Sequence, residues 1–70
     1  MEETKLSKKE IEVLELIAQG LTTQQISKWL VLSESTINNR LQNVYLKLNI
    51  EGQNKKLKAV LWYINKFGVR

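Results

Sequence analysis

Thr22-Thr23-Gln24-Gln25-Ile26-Ser27-Lys28-Trp29-Leu30-Val31-Leu32-Ser33-Glu34-Ser35-Thr36-Ile37-Asn38-Asn39-Arg40-Leu41-Gln42-Asn43-Val44-Tyr45-Leu46-Lys47-Leu48 is the stretch whose reading decides the fold. It holds two helix starts with a short gap between them. Thr22-x-x-Gln25 is a capping box: the hydroxyl and the side-chain amide each satisfy a backbone N–H that the helix start leaves unpaired. Ile26 and Leu30, four apart, face inward, and this helix ends near Val31. Leu32 belongs to the turn. Ser33 caps the next helix, with Ser35 and Thr36 in its first turn. Ile37, Leu41, Val44 and Leu48 step by four, three and four, which makes one apolar stripe. Asn38, Asn39, Gln42 and Asn43 lie off that stripe. Two short helices joined by a tight turn, the second carrying amides on its open face, form a helix-turn-helix pattern.

The flanks read as helices too. Ser7-x-x-Glu10 is a second capping box, and Val13, Leu14 and Ile17, with Ala18 beside them, keep helical spacing. Gly20 suits the left-handed residue that closes a helix, and Asn49 can do the same after the third one. Beyond the loop Glu51–Asn54, Leu57, Val60, Leu61, Ile64 and Phe67 are expected as the inner stripe of a last helix closed by Gly68. Ala59, Trp62 and Tyr63 widen its apolar surface. The expectation is one all-α, four-helix domain over residues 1–70, with helices at about 7–19, 23–31, 34–48 and 54–67. Its third helix is the recognition helix and its fourth is long.

Composition narrows the chemistry. The 70 residues contain no His, no Cys and no Asp. That excludes a catalytic triad, a zinc site and a general base poised near neutral pH, and no glycine-rich phosphate loop is present. The expectation is therefore no enzyme, no metal and no cofactor. No apolar run approaches the roughly 18 residues of a membrane span, and the polar start is unlike a secretory signal, so a cytoplasmic protein is expected. The net charge of +4 is uneven: residues 1–20 net −2, residues 21–46 net +1, and residues 47–70 net +5. The basic last third comes from Lys47, Lys55, Lys56, Lys58, Lys66 and Arg70 against Glu51. Such a balance suits a polyanion.

The open face of the third helix suits duplex DNA. Asn and Gln bond the adenine edge bidentately in the major groove, and neutral amides lose less on desolvation than charges do. Hydroxyls and free N–H groups at a helix start can meet a phosphate.

Leu6-Ser7-Lys8-Lys9-Glu10-Ile11-Glu12-Val13-Leu14-Glu15-Leu16-Ile17-Ala18-Gln19-Gly20-Leu21-Thr22 resembles the opening of a LuxR-type (GerE/NarL-like) helix-turn-helix DNA-binding domain, which reads L-T-x-R-E-x-E-V-L-x-L-I-A-x-G-x-T. The run Ile26 to Ile37 resembles the family's I-A-x-x-L-x-I-S-x-x-T-V, and Asn39 to Leu48 resembles N-H-L-x-N-I-x-x-K-L. The likeness covers about residues 6–50 without a gap. It implies a four-helix domain whose third helix enters the major groove. By match to the motif it implies phosphate contacts from Ser33, Thr36 and Lys47, and base-facing positions at Asn38, Asn39 and Gln42. It also implies a two-fold dimer contact through the last helix, expected at Ala59, Trp62 and Tyr63.

The sequence departs from the family at several places. Asn38 stands where Lys is common, and Ser27 where Ala is usual. Arg40 stands where His is common and puts a permanent charge near the phosphates. The last helix is longer than usual. The function expected is a homodimeric, sequence-specific regulator of transcription acting on double-stranded DNA. It is either stand-alone or cut from something larger. The alternative is an adaptor or anti-regulator that keeps the fold but binds another regulator, for which Trp29 offers a contact to a protein partner.

Overall fold

In a computed structural model, which describes residues 6–68, four α-helices follow one another and no strand occurs among the described residues. They are α1 (Lys8–Ala18), α2 (Thr23–Leu30), α3 (Glu34–Lys47) and α4 (Lys55–Phe67). Glu2, Glu3, Lys5 and Arg70, which entered the charge balance, lie outside the described residues.

Both capping boxes form. The Ser7 hydroxyl accepts from the Glu10 N–H at 3.2 Å while the Glu10 carboxylate accepts from the Ser7 N–H at 2.9 Å. Thr22 and Gln25 repeat the exchange at 3.1 and 2.9 Å. Ser33 caps α3 by accepting from the Thr36 N–H at 3.1 Å. Each such cap contributes about 1 kcal/mol. By contrast, α4 starts at Asn54 in the left-handed conformation without a side-chain cap.

Three helix ends share one device. After α1, α2 and α3 a residue with positive φ is followed by an N–H that reaches back five residues: Leu21 to the Leu16 carbonyl at 3.2 Å, Leu32 to Ser27 at 2.9 Å, Ile50 to Tyr45 at 2.9 Å. This is the Schellman closure. The positive-φ residues are Gly20, Val31 and Asn49. Gly and Asn enter that region at little cost; Val31, at φ 57° and ψ 48°, does not. The turn between α2 and α3, which fixes how α3 is presented, therefore carries local strain.

The core is built from Leu6, Val13, Leu14, Ile17, Ile26, Ile37, Leu41, Val44, Tyr45, Ala59 and Tyr63. α1 packs on both α3 and α4, and α2 packs mainly on α3. On α3, Leu48 at the C-cap is only half-buried, and Tyr45 takes the inner place. Ser27 is buried and donates to the Gln24 carbonyl at 2.7 Å.

On α4 the structure corrects the expected faces. Ala59 and Tyr63, assigned to a dimer seam, are buried in the domain's own core. Leu57, Leu61 and Phe67, assigned to the inner stripe, are 56%, 52% and 46% exposed. The physical reason is the width of the apolar arc. At about 100° per residue, Trp62, Ala59, Tyr63, Phe67, Val60, Ile64, Leu57 and Leu61 cover most of the helix circumference, so periodicity alone does not say which margin turns inward. The margin that carries the small Ala59 together with Tyr63 is the one that is buried. Tyr63 then meets Phe67, ring centroids 5.0 Å apart, and the half-buried Trp62 meets Phe67 edge-on at 6.2 Å.

Candidate nucleic-acid interface

α3 runs for 14 residues, and its core contacts all lie on one side: Ile37, Leu41, Val44 and Tyr45. At about 100° per residue the opposite side follows the line Ser35, Asn39, Gln42 and Leu46, with Asn38 on one flank and Asn43 on the other. All six are exposed. The structure thus brings Asn38, Asn39 and Gln42 together on a single open face. Their amides can each donate and accept.

Ser33 and Thr36 meet at the start of this helix. Their hydroxyls are 3.0 Å apart, and Ser33 also accepts the Thr36 N–H. Ser33 is exposed and Thr36 half-buried. Arg40 is half-buried on the flank of α3.

Lys47, at the far end of α3, is differently placed from a free surface cation. Its Nζ donates to both carboxylate oxygens of Glu10, at 2.9 and 3.1 Å. The Glu10 side chain is 8% exposed and that of Lys47 40%. Burial by itself pushes the Glu10 carboxyl up, but the Ser7 backbone N–H and the hydrogen bond and charge of Lys47 outweigh it and hold the carboxyl below its ordinary value. The pair ties the end of α3 to the start of α1. Sequence reasoning read Glu10 as a cap and Lys47 as a phosphate contact, and missed the pairing. A carboxylate and an ammonium 37 positions apart give no local signal.

Leu46 was missed as well. It is 74% exposed and sits in line with Asn39 and Gln42. The available signal was its phase: it falls outside the i+3/i+4 stripe that marks the core.

Elsewhere, Trp29 is 71% exposed on α2, and the neighbouring Val31 is 86% exposed. Trp62 rests half-buried on α4. Of the residues expected at a dimer seam, Trp62 alone is not buried, while Leu57 and Leu61 present the open apolar margin. Among the described residues no helix is long and apolar enough to cross a membrane.

Comparison with known proteins identifies the family. Residues 4–59 match the family described as "Bacterial regulatory proteins, luxR family". The chain is similar to the spore germination protein GerE of Bacillus subtilis (strain 168), 38% identical over 56 residues, covering 80% of this chain and 76% of GerE. It is similar to the transcriptional regulatory protein YdfI of the same organism, 43% identical over 58 residues, 83% of this chain and 26% of YdfI. It is also similar to the nitrate/nitrite response regulator protein NarP of Escherichia coli (strain K12), 31% identical over 65 residues, 93% of this chain and 29% of NarP. The chain thus spans about three quarters of GerE but little more than a quarter of YdfI and NarP. With four helices, a capped third helix and an unbroken match through both of its central helices, the chain belongs to the luxR family of bacterial regulatory proteins and carries that family's helix-turn-helix DNA-binding domain.

Proposed function

We propose that this protein regulates transcription by binding a specific sequence of double-stranded DNA as a homodimer. The observation that carries the reading is the open face of α3, where Asn39 and Gln42 stand exposed opposite the core side of the helix and Asn38 stands exposed on its flank. Placed in the major groove, their amides read base edges, adenine best. Ser33 and Thr36 at the N-terminus of α3, with Arg40 and Lys47 along its flank, meet the phosphates and fix its register. The two-fold contact is made by the margin of α4 that carries Leu57 and Leu61. Ala59 and Tyr63 have no part in it.

The test is selection of bound duplexes from a random library, followed by binding of variants. Asn39→Ala or Gln42→Ala relaxes preference at particular base positions by roughly 1–3 kcal/mol. Arg40→Gln weakens all sequences alike. No enrichment at low salt sinks the reading.

A second reading, a protein partner held at α2, is favoured by the exposure of Trp29 beside Val31. Trp is enriched at interaction hot spots. It is separable from the first, because Trp29→Gln then leaves duplex affinity unchanged while abolishing capture of the partner.

A further inference from the structure

From the Glu10–Lys47 geometry we infer that Glu10 is a positioning residue for DNA binding: it holds Lys47 at the end of α3 and cancels its charge, so that Lys47 meets a phosphate as half of an ion pair. The inference rests on the DNA-binding reading above and assigns a role within it to a residue of α1.

The geometry carries the argument. An ammonium has three N–H donors. Lys47 spends two of them on Glu10, at 2.9 and 3.1 Å, and the side chain stays 40% exposed, with one donor left for an outside acceptor. Glu10 is buried and also accepts the Ser7 N–H at 2.9 Å. A phosphate cannot take Lys47 away altogether, because a buried carboxylate stripped of its cation is strongly unfavourable. The phosphate therefore shares the ammonium. The direction of the contact is fixed by α1, and the ion pair presents little net charge to the DNA.

That last point is measurable. Each phosphate neutralised by a free cation steepens log affinity against log salt by about 0.9. Binding of a selected duplex is followed across salt for the parent, Lys47→Met, Glu10→Gln and the double variant, with Arg40→Gln as the standard for an ordinary cation. Gln at position 10 keeps the cap, because Gln25 already plays that part for Thr22 at 2.9 Å. The expected result is that the double variant, which removes the whole pair, keeps the parent's slope, whereas adding Lys47→Met to the Glu10→Gln background flattens the slope by about 0.9. Glu10→Gln alone steepens the slope by about 0.9, so the loss of affinity from about 50 to 200 mM salt grows roughly 3.5-fold. A Glu10→Gln slope equal to the parent's, or a double variant whose slope falls about 0.9 below the parent's, overturns the inference.

If either single variant does not fold, the parent and the double variant decide. The Lys47 Nζ resonance must shift when duplex is added, while the double variant, which leaves no buried charge unpaired, keeps the parent's slope. An unshifted resonance, or a slope loss of about 0.9, overturns the inference. A parent that binds no duplex at low salt fails the DNA-binding reading itself; a parent that binds, with slopes indifferent to Glu10, fails this inference alone.

Discussion

At the scale of single residues, Glu10 does three things with one carboxylate. It closes the cap of α1, pairs with Lys47 and lies buried against the core. Its carboxyl is held below the ordinary value in the folded chain, whereas in the unfolded chain it titrates near 4.3, as Glu does generally. A depressed folded value means the unfolded state binds the proton first. The group therefore contributes stability above the unfolded value, and that contribution is lost as pH falls through the folded one. The expected outcome is a thermal midpoint that drops more steeply with acid for the parent than for Glu10→Gln, the gap closing from about pH 5 downward. Melting curves at several pH values check it. Parallel profiles for the two proteins would falsify the assignment.

At the scale of elements, the turn between α2 and α3 is the informative case. Gly20, Val31 and Asn49 occupy the same place in the same closure, yet only Val31 is β-branched. A left-handed conformation costs an L-residue roughly 1–2 kcal/mol. Gly escapes that cost but loses more chain entropy on folding, by about 0.4–1 kcal/mol. Val31→Gly is therefore expected to stabilise the domain by about 1 kcal/mol, raising the thermal midpoint by roughly 4–8 °C for a chain of this size. The side chain is exposed, so no packing is lost. An unchanged or lower midpoint would show that the turn holds no strain. Elements of this kind also mark what the sequence made legible. The caps at Ser7, Thr22 and Ser33 and the closures at Gly20 and Asn49 could be read directly, because each is a local exchange within three to five residues. Val31 could not, since nothing in its type announces a positive φ. The core side of α3 was mostly legible, for Ile37, Leu41 and Val44 fill one narrow arc, whereas Tyr45 lay outside the expected stripe. That of α4 was not, for its apolar arc is wider than one partner face. The amides of the candidate site were found by phase against the α3 stripe, whereas the Glu10–Lys47 pair needed the tertiary fold to bring α1 and α3 together.

At the scale of the whole molecule, the surplus apolar surface of α4 and the small size of the domain point the same way. A domain of about 60–70 residues buries only about 60% of the surface its unfolded chain exposes. Here α4 turns Ala59 and Tyr63 inward and leaves Leu57 and Leu61 about half exposed, four apart and on one margin. In the proposed dimer, two copies would meet along that margin and bury it in a self-complementary contact, as two-fold symmetry requires. A dimer of the kind proposed would present two α3 helices to half-sites about one helical turn apart. Leu61→Glu tests the arrangement with the fold left intact, because the side chain it replaces is on the surface. The variant is expected to sediment as a monomer at concentrations where the parent is a dimer. It should keep the parent's affinity for a single half-site and lose the gain that a second, correctly spaced half-site provides. Tyr63→Glu gives the contrast: it buries a charge in the core and should unfold the domain rather than split a dimer. A parent that stays monomeric at high micromolar concentration, both free and on a two-half-site duplex, removes the dimer. In that case the exposed leucines belong to some other contact, and the paired half-sites go with the dimer.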